Sequence, residues 1–113
     1  VWELSQSKIT EYTISPADFG LPEHPISSVV GGTSEENAAI LEKLLMGKYE
    51  GPILDFVLLN SAAVLVVADK VKDFKEGVKL ARESIKSGKA LAALIDFRDA
   101  LDRAHIPSEN GLL

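Results

Sequence analysis

The stretch ILDFVLLNSAAVLVVA, residues 53–68, decides the fold because it is apolar along nearly its whole length. Its valines would suit a strand, but the run exceeds the usual strand length, and a helix that is apolar nearly all round fits better. As a membrane span it is short of the roughly 18 to 20 apolar residues required, and Asp55, Asn60 and Ser61 interrupt it. The stretch therefore predicts a helix buried in a core.

Helical patterns lie on both sides of this apolar run. The first helix should cover about residues 35–46, and Gly47 is placed to end it. A third helix is predicted within residues 73–90, because Asp73 and Glu76 have capping-box spacing and Gly88 suits a left-handed end. A fourth should run from about Ala90 to Arg103. The apolar residues expected on inner faces are Leu41, Leu44, Leu45, Val78, Leu80, Ala81, Ile85, Leu91, Leu94, Ile95 and Leu101.

The N-terminal residues predict a β-hairpin. VWEL and ITEYTI, residues 1–4 and 9–14, are rich in β-branched and aromatic residues and flank the polar turn SQSK. Trp2 is expected to pack in the core or at the sheet edge rather than to stack on a ligand. The prolines of the next stretch, SPADFGLPEHPISS, predict an irregular, extended connection. Its apolar residues Phe19, Leu21 and Ile26 should pin it to the core.

These elements predict one domain over residues 1–104, with a frayed tail, HIPSENGLL, at residues 105–113. The fold class expected from the residues alone is α-rich, with about four helices and a short N-terminal β-hairpin. Because the chain begins with Val1 inside a predicted strand, we expect that its true N-terminal portion is missing.

Composition excludes several classes of function. The net charge of -5, with scattered Lys and Arg, argues against a nucleic-acid or anionic-membrane partner. The absence of Cys excludes disulfides and thiolate metal sites and is compatible with a reducing cytosolic setting. His24 and His105 are far apart in sequence, which argues against a zinc site.

Residues Gly31–Asn37, GGTSEEN, raise the question of phosphate binding. Free N–H groups at a helix N-terminus bind anions, and glycines allow close approach. The sequence lacks the lysine-plus-hydroxyl ending of a phosphate loop, and its two glutamates would compete with an anion. Thr33 and Glu36 have capping-box spacing, or Ser34 is the cap instead. We favour a helix start over an anion site.

Polar residues elsewhere are also interpreted as structural. Asn60 and Ser61 should hydrogen-bond a neighbouring helix or a preceding carbonyl. His24 is a candidate general base, but the sequence assigns it no nucleophile and no orienting carboxylate. A surface imidazole is therefore favoured.

The fourth predicted helix carries acidic residues at helical spacing. Asp96, Asp99 and Asp102 suggest a cation site, but a solvated face balanced by Arg98 and Arg103 is favoured. The residues alone thus provide no catalytic constellation.

The order of the segments resembles a known family. VWEL, ISPADFGL, GGTSEENAAILEKLLMG, ILDFVLLNSAAVLVVADK and DFKEGVKLARESIKSGKA follow one another as in the C-terminal part of anthranilate phosphoribosyltransferase, and the resemblance extends to about Leu101. It implies a parent α/β fold of which this chain is the end. It further implies a cytoplasmic, magnesium-dependent transferase of tryptophan biosynthesis, commonly a homodimer. Such an enzyme moves a phosphoribosyl group from 5-phosphoribosyl 1-diphosphate to the amino group of anthranilate.

The resemblance transfers no catalytic, cofactor-binding or metal-binding residue to this chain. The G-T-G-G-D diphosphate loop, the Asp-Glu metal pair and the anthranilate-holding arginine of the family lie upstream of its VWEL strand. Gly31-Gly32 is not that loop, and Arg82, Arg98 and Arg103 sit in no matching motif. We therefore expect the chain alone to be inactive, to bind no magnesium, and to self-associate if its apolar helix normally packs on strands it lacks.

Two alternatives remain open. One is a self-standing helical interaction module derived from this fold, which predicts a folded monomer or defined dimer without affinity for the phosphoribosyl donor. The other is a small-ligand site at residues 31–37, which predicts stabilisation by phosphate.

Overall fold

A computed structural model describes residues 1–104 of the protein, and the predicted tail at residues 105–113 lies outside the described residues. The chain forms strands β1 (Trp2–Ser5) and β2 (Lys8–Glu11), two 3-10 turns (Pro16–Phe19 and Ile26–Val29), and helices α1 (Ser34–Leu45), α2 (Pro52–Val67), α3 (Phe74–Lys86) and α4 (Lys89–Ala104). The predicted hairpin and all four predicted helices are confirmed, with ends within one or two residues of the expected ones for α1, α2 and α4.

Helix α2 supplies the centre of the core. Pro52 occupies its first turn, where the missing N–H leaves no helical hydrogen bond unmade. Leu54, Leu58 and Ala62 follow at four-residue spacing, lie on one face and are buried. Burial of each leucine contributes about 1.5–3 kcal/mol. The other buried hydrophobic residues are Phe19, Leu21, Leu44, Val78 and Ala81.

Helices α2 and α3 cross at very short range, and Gly77 makes this crossing feasible. A Cβ atom built on Gly77 would lie 2.8 Å from the Cβ and 2.9 Å from the Cα of Ala62. A glycine facing an alanine is thus the largest combination that this point accepts without movement of the two helices. Residues on either side of Gly77, including Val78 and Ala81, can then reach the core.

The connection between the hairpin and α1 is pinned to the helices by aromatic stacking. The rings of Phe19 and Phe74 are stacked with their centroids 4.3 Å apart. Phe19 and Leu21 are buried, as expected from the sequence. The expectation for Ile26 was wrong, because its side chain is 80% exposed at the start of the second 3-10 turn. Both turns are short helical segments where an extended connection was predicted.

The prediction that α2 is buried all round is wrong for one of its faces. Phe56, Val64 and Val67 are all exposed, and Val67 is 85% exposed. The reason is geometric, since α3 packs on the side of α2 that carries Leu58 and Ala62, and the second 3-10 turn lies beside Pro52, Asp55 and Leu59. Within residues 1–104 no element covers the opposite side.

Helix α4 also departs from the expectation. Leu94, Ile95 and Leu101 were predicted to face inward, yet α4 contains no buried residue. The helix contacts α1 and α3, but these contacts bury none of its residues fully. Its amphipathic pattern is therefore present in the sequence, and within the described residues its apolar side chains stay at least partly exposed.

The hairpin projects from the helices with both of its faces exposed. Its two-residue turn, Gln6-Ser7, has positive φ at both positions, the geometry that joins twisted antiparallel strands tightly. Pairing of Leu4 with Ile9 places both on one face with Trp2, and Trp2 is 77% exposed. Of the two placements expected for Trp2, the core is therefore wrong, and the residue lies on an edge strand with its side chain exposed.

The other face of the hairpin is polar. The Tyr12 hydroxyl donates a hydrogen bond of 2.8 Å to a Glu3 carboxylate oxygen, and this bond raises the pKa of Tyr12. The two faces differ in polarity, as in an antiparallel sheet that packs one face on a core and exposes the other to water.

Substitution Gly77→Ala tests the helix crossing. In an exposed helix this change would stabilise by up to about 1 kcal/mol, because alanine is the better helix former. Here we expect a destabilisation of about 1–3 kcal/mol, since the added methyl group meets the backbone of Ala62. Urea unfolding followed by circular dichroism measures the difference. The control is Lys79→Ala at an exposed site of α3; equal behaviour of the two variants would contradict the proposed steric limit.

Candidate functional site

The Gly31–Asn37 segment folds as a closed helix cap. The Thr33 Oγ1 atom accepts from the Glu36 N–H at 3.2 Å, and a Glu36 carboxylate oxygen accepts from the Thr33 N–H at 2.8 Å. Asn37 adds a second pair, because its Oδ1 accepts from the Gly32 N–H at 2.9 Å and its Nδ2 donates to the Gly32 carbonyl at 3.2 Å. A Cβ atom on Gly32 would displace the Glu36 carboxylate, so the glycine leaves room for this capping contact.

This arrangement occupies three of the N–H groups that an anion at this segment could use. The N–H groups of Gly32, Thr33 and Glu36 are each bound by a side chain of the same segment. The pKa of Glu35 lies below its ordinary value, because its own backbone N–H and then the hydroxyls of Ser34 and Thr33 bind its carboxylate. A second negative charge therefore stands at the helix N-terminus and opposes an added anion. The predicted helix start is confirmed, with Thr33 as the cap residue.

His24 lies in a cluster that the sequence did not reveal. Its Nε2 atom is 2.8 Å from Oδ2 of Asp55, and the side chains of His24 and Asp55 are only 28% and 13% exposed. The contact joins the proline-rich connection to the first turn of α2. The expectation of a free surface imidazole was therefore wrong, because the orienting carboxylate lies 31 residues further along the chain.

Asp55 also faces α3. Its Oδ1 atom is 3.5 Å from Nη2 of Arg82, and Nη1 of Arg82 is 3.7 Å from a carboxylate oxygen of Glu50. Asp55 thus holds two cationic or hydrogen-bonding partners from different elements, and a carboxylate in the first turn of a helix is further favoured by the helix dipole. The sequence signal that could have marked this cluster is the single charge of the apolar run, since a shielded charge requires partners.

The side chains of Asn60 and Ser61 lie in different environments. Asn60 is exposed, and its Nδ2 donates to the Phe56 carbonyl at 2.8 Å, so the predicted bond to a preceding carbonyl is confirmed for this residue. Ser61 lines a groove of about 640 Å³ between α2 and α3. The groove walls are mainly aliphatic, with Val57, Leu65 and Ile85 among them.

The acidic residues of α4 form the solvated face that was predicted. Arg98 donates from Nε and Nη2 to Oδ1 of Asp99, at 3.1 and 2.9 Å, and this hydrogen bonding raises the pKa of Arg98. Asp96 and Asp102 are exposed on the same helix. In the part of the chain that the structure describes, no three His, Asp or Glu side chains gather as a metal site would require.

Residues 1–104 contain no helix whose length and apolar character would allow it to cross a membrane. The interpretation of residues 53–68 as a core helix rather than a membrane span is consistent with this finding. Helix α2 covers 16 residues and carries Asp55 in its first turn.

Comparison with protein families identifies the fold. The family described as the glycosyl transferase family, a/b domain, matches residues 1–91 of the chain. The chain belongs to this family. The match includes the hairpin, α1 with its N-terminal cap, α2 and α3, and it ends in the first turn of α4.

Several similar proteins are anthranilate phosphoribosyltransferases. An anthranilate phosphoribosyltransferase from Schizosaccharomyces pombe is 45% identical over 98 residues, which are 85% of this chain and 28% of that protein. One from Rhodopseudomonas palustris is 49% identical over 94 residues, 83% of this chain and 28% of that protein. A solved structure of the Saccharomyces cerevisiae enzyme in complex with 4-fluoroanthranilate superposes with a TM-score of 0.83 and 36% identity, over 90% of this chain and 30% of that one.

The chain therefore spans less than a third of the length of these relatives. Placement of the chain in the C-terminal part of the relatives, which the resemblance implied, is not supported by these matches. The α/β character of the parent fold and the α-rich character of this chain both agree with the family and its structures.

Substitution Thr33→Ala tests the cap. We expect it to lower the free energy of unfolding by about 0.5–2 kcal/mol, because the Glu36 N–H loses its acceptor. Denaturant unfolding with and without inorganic phosphate measures the effect, and the loss should be the same in both buffers. A phosphate-dependent rise in the unfolding midpoint of the unsubstituted chain would instead show that the segment binds an anion.

Substitution Asp55→Asn tests the cluster around His24. We expect a loss of about 1–3 kcal/mol in unfolding free energy, since charge-assisted bonds to a shielded carboxylate are replaced by weaker ones. Glu50→Gln is the matched control, because Glu50 is exposed and should matter by no more than about 0.5 kcal/mol. In a double-mutant cycle His24→Ala and Asp55→Ala should couple; strict additivity would contradict the contact.

Proposed function

We propose that the chain is a segment of an anthranilate phosphoribosyltransferase. The proposal is carried by the agreement of sequence and fold over the same residues. Relatives of that name are 43–49% identical to the chain. The structure of the Saccharomyces cerevisiae enzyme superposes on the chain with a TM-score of 0.83. The substrates proposed for the whole enzyme are 5-phosphoribosyl 1-diphosphate and anthranilate.

In the proposed reaction the amino nitrogen of anthranilate bonds to C1 of the ribose while the bond from C1 to diphosphate breaks. The nitrogen then loses a proton. Such a reaction depends on positioning of the amine and on electrostatic stabilisation of the departing diphosphate. Positively charged groups and free N–H donors are the parts that a protein supplies for this purpose.

In residues 1–104 several positively charged groups and N–H donors are already bound within the chain. Three N–H groups at the start of α1, those of Gly32, Thr33 and Glu36, are bound by capping side chains. Arg82 faces Glu50 and Asp55, and His24 is held by Asp55. We therefore propose that the 113-residue chain alone does not catalyse the transfer and that it contributes helical structure to the domain that does.

Magnesium is the cofactor that we propose for the whole enzyme, where it would neutralise charge on the diphosphate. Magnesium on a diphosphate takes one or two protein carboxylates beside the phosphate oxygens. In residues 1–104 no three His, Asp or Glu side chains gather, and the shielded carboxylate of Asp55 is already bound by His24 and Arg82. We propose that the metal ligands come from residues outside this part of the chain.

The remaining properties proposed for the whole enzyme follow from the resemblance to the family. We place it in tryptophan biosynthesis, in the cytoplasm, and expect it to be a homodimer. The net charge of -5 supports the expectation of no nucleic-acid or membrane partner.

A chimera tests the proposed function. The matched segment of the Schizosaccharomyces pombe relative is replaced by residues 1–104 of this chain, and transfer is followed by the loss of anthranilate fluorescence. We expect the chimera to keep phosphoribosyltransferase activity within about tenfold of the unmodified relative, because the exchanged residues share sequence and fold rather than chemistry.

Two controls accompany the chimera. The relative without the matched segment should be inactive, and the 113-residue chain alone should show no turnover. A chimera that is folded by circular dichroism but has lost its activity would contradict the proposed function. Turnover by the isolated chain would contradict its proposed dependence on further residues.

A further inference from the structure

A second cavity of the chain, of about 390 Å³, opens between the end of α1, the connection to α2, and α3. We call it the α1/α3 pocket. Its volume lies within the range of small-molecule sites, about 300–1,000 Å³. All of its lining residues lie between Leu44 and Lys86, so its walls come entirely from the described residues. Glu50, Arg82 and Lys86 at its rim are exposed charges, which gives the rim the character of a solvent-facing surface.

The floor of the α1/α3 pocket is apolar. Leu44 and Leu54 belong to the buried core, and Ile85 packs against it. Met46 adds a flexible thioether side chain that is 44% exposed. An apolar group of a ligand leaves water when it contacts such a floor, and a methionine adapts its shape to the group it meets. The floor therefore fits an aliphatic or aromatic side chain.

Two positively charged groups of α3 stand at the rim. Arg82 and Lys86 are four residues apart, which places them on the same side of the helix. The ion pairs among residues 1–104 include Arg82 but not Lys86. The guanidinium of Arg82 has several N–H donors, so donors remain for a ligand while Asp55 stays paired. Arg82 and Lys86 together provide a site for a carboxylate.

Groups that favour a positive charge lie beside this carboxylate site. A Glu50 carboxylate oxygen is 3.7 Å from Nη1 of Arg82. Helix α1 ends at Leu45, and the next two residues, Met46 and Gly47, line the pocket. The negative end of the α1 dipole therefore lies at the pocket and favours a cation there. Opposite charges thus occupy neighbouring positions on the rim.

An α-amino acid matches this arrangement, because its ammonium and carboxylate groups are attached to one carbon atom. The exposed pair of Glu50 and Arg82 is long and contributes little to stability, so a ligand can replace it. A simple organic anion would bring its charge close to the Glu50 carboxylate. A simple amine would face the two cations of α3. Only a ligand with both charged groups satisfies both parts of the rim.

We propose that the α1/α3 pocket binds a free α-amino acid that has an apolar side chain. The ligand carboxylate pairs with Arg82 and Lys86, and the ligand ammonium pairs with Glu50. The apolar side chain lies on Met46 and Ile85. The proposal does not rest on the proposed transferase function.

The single methionine of the chain provides a direct probe of the pocket, because Met46 lines it. The 113-residue chain is labelled with carbon-13 at the methionine methyl group, and L-phenylalanine is titrated as the ligand. We expect a saturable shift of the Met46 methyl resonance, since the aromatic ring lies against this methyl group. The indole N–H resonance of Trp2, the single tryptophan, should not shift, because Trp2 lies on the hairpin.

Ligand analogues test the need for both charged groups and for the apolar side chain. 3-Phenylpropionate lacks the ammonium group, and phenethylamine lacks the carboxylate. Each should bind at least about tenfold more weakly than L-phenylalanine, because one charge-assisted contact is lost. Glycine retains both charged groups but has no side chain to place on the floor, and it should also bind more weakly.

Variants test the assignment of the rim residues. Lys86→Gln and Glu50→Gln each remove one charge and should weaken the binding of L-phenylalanine at least about threefold. Both residues are exposed, so the fold should be retained, which circular dichroism verifies. The matched control is Lys79→Gln, at an exposed position of α3 that does not line the pocket. This control should leave the affinity unchanged.

Three results would overturn the proposal. One is a Met46 resonance that does not shift saturably with either L-phenylalanine or L-leucine at millimolar concentrations. Another is equal binding of L-phenylalanine and 3-phenylpropionate, which would show a site for organic anions in general. The third is an equal loss of affinity in Lys86→Gln and Lys79→Gln, which would show an effect of net charge alone.

Discussion

The contact between Gly77 and Ala62 sets the geometry on which the helical core depends. At this point the backbones of α2 and α3 approach so closely that a Cβ on Gly77 would lie 2.8 Å from the Cβ of Ala62. The close approach lets Leu58, Val78 and Ala81 share one core. The stacked rings of Phe19 and Phe74 then attach the connecting segment to the same pair of helices. Two small residues thereby determine how the larger ones meet.

Polar contacts complete the attachment of the irregular segments. Asp55 draws His24 of the connection and Arg82 of α3 to the first turn of α2. Thr33, Glu36 and Asn37 close the start of α1. In both places the side chains are of types that often act in catalysis or binding. Here they hold segments of the chain together, because their donors and acceptors are bound to one another or to the backbone.

The surface of the chain carries exposed apolar residues on both α2 and the hairpin. One side of α2 is buried, whereas Phe56, Val64 and Val67 on the other side are exposed. The hairpin likewise presents Trp2 and Leu4 to solvent, while Glu3 and Tyr12 lie on the opposite face. An isolated two-stranded ribbon gains little stability by itself, so both surfaces favour association. The relatives are more than three times as long as this chain, and their additional residues provide a context for such association.

The sequence by itself determined the local elements, because these depend on spacing within a few residues. The apolar run predicted α2, Thr33 with Glu36 predicted the cap, and β-branched and aromatic residues around a polar turn predicted the hairpin. Tertiary structure decided which apolar faces found partners, and hence why Ile26, Trp2 and α4 stayed exposed. It also paired His24 with Asp55 across 31 residues. Periodicity reports that a face is apolar, but only the packing of distant segments in three dimensions decides whether another element covers it.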